Sequence, residues 1–272
     1  MLGLMPQREG HWEGAVQRWR DGKLSLARDM VAEETPVALV YSGIPYAVML
    51  TTPKDLEDFA VGFSLSEQII RSRTEIKSLD IYEQDKGIEI HICIPRQRFL
   101  AIADRRRNLA GRTGCGLCGA ENLDLAIRRP SPVPQGITLP MRELHEALSQ
   151  LHQLQQLNTL TGAVHAAAWA LPGQGILLLR EDVGRHNALD KLIGALAHSH
   201  VDLGAGYMLI TSRASYEMVQ KVATVGCTLM AAISAPTGLA VRLAQEAGIT
   251  LIGFARCGSH VVYSHPERIN LN

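Results

Sequence analysis

Residues 207–254 read YMLITSRASYEMVQKVATVGCTLMAAISAPTGLAVRLAQEAGITLIGF, and this stretch decides the fold. Short apolar runs alternate here with segments whose apolar residues recur at helical spacing. The pattern predicts strands over 207–213, 228–234 and 249–254, with helices over 215–226 and 238–247. Alternation of this kind is typical of a three-layer α/β domain with a mainly parallel sheet.

The preceding residues extend the same domain. Met141 to Asn158 carries leucines along one side and predicts an amphipathic helix. Two strands, His165–Leu171 and Gly175–Glu181, are joined through Pro172-Gly173, and a helix follows over 185–199. Three prolines in Arg129-Pro-Ser-Pro-Val-Pro134 favour an extended linker before this domain. We therefore divide the chain into an N-terminal α+β domain (1–128), a linker (129–140) and an α/β domain (141–272).

The N-terminal domain mixes strands and helices. Thr35–Tyr41 and Pro45–Leu50 flank Ser42-Gly43, which is a hairpin signal. Thr52-Pro53 predicts the start of a helix over 53–70, with Thr52 as N-cap. Isoleucines at alternate positions in 88–94 predict a half-buried strand, and 99–110 predicts a short basic helix. Residues 1–30 lack clear periodicity, so we expect them to lie across the surface of this domain.

Bulk composition excludes several classes of protein. The 272 residues contain 27 Lys plus Arg and 27 Asp plus Glu, so overall charge gives no reason to expect nucleic acid or a membrane surface as partner. No apolar run approaches the roughly 20 residues that span a bilayer. Five cysteines form a sparse, odd set rather than a disulfide framework. A reducing compartment, the cytoplasm, is therefore expected.

Two cysteines lie close together in Gly111-Arg-Thr-Gly-Cys-Gly-Leu-Cys-Gly119. The four glycines favour a movable loop, and the positive charge of Arg112 favours the reactive thiolate. Structural zinc usually needs two such pairs, and a thioredoxin-type dithiol needs its first cysteine at a helix N-terminus after a strand. Neither setting matches well, whereas a persulfide carrier needs a mobile, exposed thiolate. All three chemistries stay open on these residues alone.

Polar residues follow the predicted strands of the second domain. In such sheets, ligands bind beyond the carboxyl ends of the strands, where free N–H groups at helix N-termini favour phosphate. We predict a nucleotide or pyrophosphate pocket there that includes His186, Ser212 and Arg213. Arg256 can add a bidentate contact. The hydroxyls of Ser212, Ser215 and Thr237 are equally explained as helix N-caps.

Two further residues near these strands have plainer interpretations. His165 precedes three alanines, and we expect it to be a packed histidine with a satisfied hydrogen bond. Cys227 lies among Val225, Thr228 and Leu229, so we expect an inert buried thiol.

The loop 111–119 resembles the signature of the formate dehydrogenase accessory sulfurtransferases, the FdhD family. Further blocks resemble the family in the family's order, and together they cover the chain from about residue 30 to its end: Glu33–Val40, Pro53–Glu57, Gly62–Glu67, His165–Trp169, Glu181–Lys191, Ser212–Lys221 and Val262–Pro266.

The resemblance implies a function that spacing alone does not. Family members take sulfur from a cysteine desulfurase and pass it to the molybdenum cofactor, in its bis-molybdopterin guanine dinucleotide form, for formate dehydrogenase. By that resemblance Cys115 carries the persulfide and Cys118 assists it. The stretch Phe254-Ala255-Arg256-Cys257-Gly258-Ser259 matches the family's cofactor-binding stretch, although Cys257 departs from its pattern. A homodimer without a metal of its own is also implied.

The resemblance further implies that the second domain is similar to the cytidine deaminase fold. The zinc signature of deaminases, His-x-Glu with Pro-Cys-x-x-Cys, is absent: Ala167 stands two residues after His165, and Gly114 precedes Cys115. Two other functions remain as alternatives. One is a dithiol oxidoreductase, and the other is a cofactor chaperone in which the thiols have no role.

Overall fold

A computed structural model describes residues 10–110, 130–199 and 201–271. The first part of the chain forms a hairpin, a small sheet and two helices. In chain order these are β1 (His11–Arg20), β2 (Lys23–Ala32), β3 (Thr35–Tyr41), β4 (Ile44–Thr51), α1 (Leu56–Ser66), β5 (Ser78–Gln84), β6 (Gly87–Cys93) and α2 (Arg96–Ala110). Strands pair in the order β4-β3-β6-β5. The predicted hairpin at Ser42-Gly43 and the isoleucine strand are confirmed, and α1 packs on the buried isoleucine face.

Residues 11–32 form regular structure that was not predicted from the sequence. They form the antiparallel hairpin β1–β2, whose turn residues Asp21 and Gly22 have φ of 50° and 77°. Two successive positive φ angles are typical of the turn that Asp-Gly favours in hairpins. The strands are largely exposed on both faces, so their sequence carries no strong alternation. The Asp-Gly pair was the signal that the sequence offered.

The first helix is shorter than predicted. Helix α1 covers 56–66 rather than 53–70, and its N-cap position is Asp55, with φ of 53°. Thr52 is not the cap, because its backbone N–H donates to Asp182 and its carbonyl accepts from Lys191. The polar groups of Thr52 thus connect the first part of the chain to the second instead of starting a helix.

The second part of the chain contains a six-stranded sheet. The elements of this part of the chain are β7 (Leu139–Pro140), α3 (Met141–Leu154), α4 (Gln156–Thr161), β8 (His165–Leu171), β9 (Gly175–Asp182), α5 (Arg185–His198), β10 (Tyr207–Ile210), α6 (Tyr216–Thr224), β11 (Leu229–Ala232), α7 (Gly238–Ala247), β12 (Thr250–Arg256), β13 (Ser259–Ser264) and β14 (Ile269–Asn270). Strands β7 and β14 pair with each other, outside the six-stranded sheet. The helix predicted over 141–158 divides at Gln155, whose ψ of 78° is not helical.

The sheet is mixed, which corrects the prediction of a mainly parallel one. The strand order is β13-β12-β11-β10-β8-β9, and only β10–β11 and β11–β12 pair in parallel. Tight turns at Pro172-Gly173 and Cys257-Gly258 return the chain beside the strand it has just left, which forces antiparallel pairing. Helix α3 packs on one face, and α5, α6 and α7 pack on the other. The similarity to cytidine deaminases and the domain boundaries stay predictions.

The two parts of the chain meet where α1 crosses α5 at glycines. A Cβ on Gly62 would lie 1.7 Å from the carbonyl oxygen of Asp190, and a Cβ on Gly194 would lie 1.9 Å from that of Asp58. The helix backbones therefore touch, and no side chain larger than hydrogen fits at either point. In the part of the chain that the structure describes, no helix is long and apolar enough to cross a membrane.

Candidate functional site

The carboxyl ends of β10, β11 and β12 lie at one edge of the sheet, as predicted, and backbone hydrogen bonds join the loops that follow them. The amide of Thr237 donates to Ala214 at 3.0 Å, and that of Phe254 donates to Ser234 at 3.2 Å. The loop after β10 is therefore attached to the loop after β11, and that loop to the end of β12. We call this edge, with the start of α5, the strand-end edge.

His186 connects the start of α5 to the start of α6 at this edge. Its Nε2 lies 2.7 Å from a carboxylate oxygen of Glu217, close enough to pair although out of line for a hydrogen bond. Burial lowers the pKa of His186, and the carboxylate of Glu217 only partly opposes that effect. Burial therefore favours the neutral form of this imidazole.

The hydroxyl groups at the edge behave differently from one another. Thr237 caps α7 by accepting from the amide of Ala240 at 3.3 Å. Ser212 is buried and donates to the carbonyl of Arg213 at 3.1 Å. Ser215 occupies the N-cap position of α6 without making a cap hydrogen bond. Capping thus explains Thr237, whereas Ser212 stabilises the bend in its own loop.

The predicted stretch 254–259 mixes exposed and buried residues. Phe254 has φ of 50° and is 42% exposed, whereas Ala255 is 1% exposed and can offer only its backbone. The side chains of Arg256, Cys257 and Ser259 are exposed. Arg213 is exposed as well, so both arginines predicted to contact an anionic ligand are accessible to solvent.

The turn at Cys257-Gly258 leans towards α3, away from α5. The amide of Gly258 donates to Nδ1 of His145 at 3.1 Å, and Sγ of Cys257 lies 3.0 Å from Oγ of Ser149. His145 also contacts His260, with Nε2 and Nδ1 3.2 Å apart. The structure therefore does not unite all the predicted cofactor residues: His186 and Arg213 lie at the starts of α5 and α6, whereas Cys257 and Gly258 turn towards the opposite face of the sheet.

The predicted catalytic residues Cys115 and Cys118 lie outside the described residues, as does Arg112. Helix α2 ends at Ala110, immediately before that loop. Among the other cysteines, Cys257 is exposed and Cys93 is half-buried. Cys227 is fully buried, and burial raises the pKa of its thiol to about 12. The prediction of an inert thiol at Cys227 is confirmed.

His165, the first residue of β8, lies close to the edge and is half-buried. Burial lowers its pKa, and the charge of Arg185 lowers it further. The environment therefore favours a neutral ring.

Two buried ion pairs that were not predicted from the sequence lie behind the strand-end edge, and each binds residues of the first part of the chain. In the first, Nζ of Lys191 lies 2.6 Å from a carboxylate oxygen of Asp182, and neither side chain is exposed. Asp182 also accepts from Thr51, from the amide of Thr52 at 3.0 Å and from Asn187 at 3.0 Å. These hydrogen-bond donors satisfy the carboxylate of Asp182, whose burial without them would cost free energy.

The second buried pair joins α6, α5 and α1. Nζ of Lys221 lies 3.0 Å from both carboxylate oxygens of Asp190, 2.9 Å from Oγ of Ser66 and 3.1 Å from Glu67. Burial by itself would lower the pKa of Lys221, but the carboxylates of Asp190 and Glu67 outweigh it and raise the pKa. The ammonium group is therefore charged and connects α6 to the end of α1.

A sequence signal for these pairs did exist. Asp190-Lys191 stands between Ala188-Leu189 and Leu192-Ile193, so two charged residues interrupt an otherwise apolar helical run. Charged residues are rarely buried unless they are paired, and such an interruption indicates partners from elsewhere in the chain. The sequence alone did not show that the partners of Asp190 are Ser66 and Lys221.

The charges at the edge suit an anionic ligand better than a cation. Within the described ranges, no group of three or more His, Cys, Asp or Glu side chains could hold a metal ion. The exposed Arg213 lies just before the N-terminus of α6, and both features favour anions. The fold and the edge together define a class of protein. It is a mixed α/β protein that has buried ion pairs where its two parts meet and a sheet edge suited to binding anions.

Comparison with known proteins identifies the family. The model of the FdhD/NarQ family matches residues 32–270, and the chain belongs to that family. It is 54% identical over 259 residues to the sulfur carrier protein FdhD of Cupriavidus necator, covering 95% of this chain and 90% of that protein. It is 50% identical over 264 residues to the sulfur carrier protein FdhD of Xanthomonas euvesicatoria pv. vesicatoria, covering 97% and 94%.

A solved structure shares the fold. A crystal structure from Desulfotalea psychrophila, described as that of a formate dehydrogenase accessory protein, superposes with a TM-score of 0.73 at 23% sequence identity. The alignment covers 96% of this chain and 99% of the other. At that identity the match supports the fold alone.

Proposed function

We propose that this protein is a sulfurtransferase that accepts sulfur from a cysteine desulfurase as a persulfide on Cys115. It delivers that sulfur to the molybdenum cofactor, bis-molybdopterin guanine dinucleotide, for use by formate dehydrogenase. The observation that carries the proposal is the family match over residues 32–270, which includes both cysteines of the 111–119 loop. The names of its relatives, sulfur carrier proteins, agree with it.

The acceptance step is a thiol–persulfide exchange. The thiolate of Cys115 attacks the outer sulfur of the desulfurase persulfide, a new S–S bond forms on Cys115, and the desulfurase cysteine leaves as a thiolate. No net oxidation occurs, because one S–S bond replaces another. Cys118 assists this thiol, and Arg112 stabilises the anion. Cys227 makes a poor carrier by comparison, since its thiol is buried with a raised pKa.

The strand-end edge is the proposed site for the guanine dinucleotide phosphates. Support comes from the exposed guanidinium groups of Arg213 and Arg256 and from the uncapped start of α6 at Ser215. Backbone N–H groups at that helix end favour phosphate oxygens. The cofactor is cargo here rather than a resident group. The protein would work in the cytoplasm as a homodimer, with formate dehydrogenase as client.

Labelled sulfur tests the persulfide. The protein is incubated with a cysteine desulfurase and [³⁵S]cysteine, and the label bound to it is measured before and after reduction with a thiol. We expect a label that reduction removes, that Cys115→Ser abolishes and that the matched variants Cys257→Ser and Cys93→Ser retain. Full labelling of Cys115→Ser would contradict the assignment. A reversible Cys115–Cys118 disulfide with turnover of a dithiol substrate would favour an oxidoreductase instead.

Nucleotide binding tests the edge separately. GDP is titrated into the protein by calorimetry, because it carries the guanine and diphosphate of the cargo. We expect Arg213→Gln with Arg256→Gln to weaken binding by about tenfold or more, since each removes a charge-assisted contact. Arg20→Gln, at the exposed end of β1, is the control. Equal affinity in all three proteins would remove the strand-end edge from the proposal.

A further inference from the structure

A cavity lies at the far end of α5 and α6 from the strand-end edge. Its volume is about 510 Å³, within the range of roughly 300–1,000 Å³ that is typical of small-molecule sites. One wall is the segment 70–74 with Arg98 of α2, and the other contains Ile193, Leu196 and Ala197 from the second half of α5. The two parts of the chain that the buried ion pairs connect therefore share this cavity.

The cavity is positively charged. Arg71, Arg73 and Arg98 line it, and no Asp or Glu is among the described residues that do so. The guanidinium of Arg98 is held by Glu75, with Nε donating at 3.0 Å and Nη2 at 3.0 Å. Within the described ranges, the side chain of Arg73 has one ion-pair partner, Glu57 at 3.9 Å. The side chain of Arg71 has no such partner there, although its charge lowers the pKa of the nearby Glu75. Two guanidinium groups thus remain available to an anion.

The opposite wall of the cavity is apolar. Ile193 and Leu196 are buried, and Leu203 and Val225 beside them are half-buried. Ser72 and Thr74, whose hydroxyls lie 2.9 Å apart, add short polar groups on the charged wall. A ligand that satisfies both walls has an apolar body and an anionic group.

We propose that this cavity binds a small amphipathic anion, an aromatic or compact aliphatic body that carries one phosphate, sulfonate or carboxylate. The apolar body packs on α5, and the anionic group meets Arg71 and Arg73. The size and the two facing walls favour a small molecule over an extended acidic peptide. The proposal stands independently of sulfur transfer, because it uses no residue of the strand-end edge or of the cysteine loop.

Fluorescence titration with anilinonaphthalene sulfonate tests the cavity. We expect one saturable site whose affinity falls by about tenfold or more in Arg71→Gln with Arg73→Gln. Ala197→Trp should abolish that site by filling the space. The matched control, Arg18→Gln with Arg20→Gln on the exposed hairpin, should bind as the wild type does. The neutral probe N-phenyl-1-naphthylamine should bind equally to wild type and to the Arg71/Arg73 variant.

Competition identifies the class of ligand. Naphthoate and 4-nitrophenyl phosphate should displace the probe, whereas inorganic phosphate, which lacks an apolar body, should not. Unchanged probe affinity in the Arg71/Arg73 variant would overturn the proposal. Displacement by an acidic leucine-containing peptide but by neither small anion would overturn it in favour of a protein partner. If the melting curve shows that Ala197→Trp does not fold, the Arg71/Arg73 variant tests the proposal, because both of its substituted positions are exposed.

Discussion

Replacing Lys221 by methionine tests whether the second buried ion pair holds the two parts of the chain together. Residue Asp190 is only 1% exposed, and Lys221 donates to both of its carboxylate oxygens at 3.0 Å. Without the ammonium group, Asp190 keeps the hydrogen bond from Ser66 at 2.6 Å but stays buried with an uncompensated charge. Removing one partner of a buried pair costs about 3–5 kcal/mol, a large part of a typical stability of about 5–15 kcal/mol.

Urea unfolding followed by circular dichroism measures this cost. Lys221→Met should lower the free energy of unfolding by about 3–5 kcal/mol, whereas the exposed Lys23→Met should change it by about 0.5 kcal/mol or less. The double variant Lys221→Met, Asp190→Leu should regain part of the loss, because no buried charge remains. A loss of under about 1 kcal/mol in Lys221→Met, the value of an exposed pair, would refute the reasoning.

Three further predictions concern the helix crossing, the thiols and acid stability. Gly194→Ala should lower the melting temperature, and it should lower the free energy of unfolding by about 1–3 kcal/mol or more, since its Cβ would meet the Asp58 carbonyl at 1.9 Å. Gly238→Ala is the control that should be tolerated, because its Cβ meets only the end of Arg242 at 3.6 Å. In the native protein, a disulfide reagent such as DTNB should modify Cys257 quickly and Cys227 only after unfolding, and rapid modification of Cys227 would contradict its burial. Arg98 lowers the pKa of Glu75 in the folded protein. The stability that this pair adds is therefore present above the pKa of Glu75 in the unfolded chain, and it is lost as the pH falls through the lower folded-state pKa. Arg98→Gln should flatten that part of the acid-unfolding curve, and an unchanged curve would argue against the pair.

The repeating patterns in the sequence predicted most elements of the second half. Strands over 207–210, 229–232 and 250–256 and helices over 216–224 and 238–247 follow the predicted alternation, with ends that differ by a few residues. Local periodicity succeeds here because each element has one apolar face that must be buried. The same reasoning predicted that the loops at the carboxyl ends of β10, β11 and β12 meet.

The antiparallel pairs of the six-stranded sheet and the hairpin β1–β2 were not predicted. The antiparallel pairing of β8 with β9 and of β12 with β13 depends on short turns, and the apolar runs alone do not show strand direction. Residues 11–32 are exposed on both faces, so they have no alternation for a periodicity argument to detect. The Asp21-Gly22 turn, which depends on backbone φ rather than hydrophobicity, was the available signal.

The sequence by itself determined the family, the order of the elements and the residue types available for chemistry, because these depend on neighbours along the chain. Only the tertiary structure decided what the charged residues of 181–191 and Lys221 do. Asp182 pairs with Lys191 and accepts from Thr51 and Thr52, and Asp190 pairs with Lys221 and Ser66. Those partners lie up to 155 residues apart in the chain. A buried charge needs its partner in space, and local sequence carries no record of that partner.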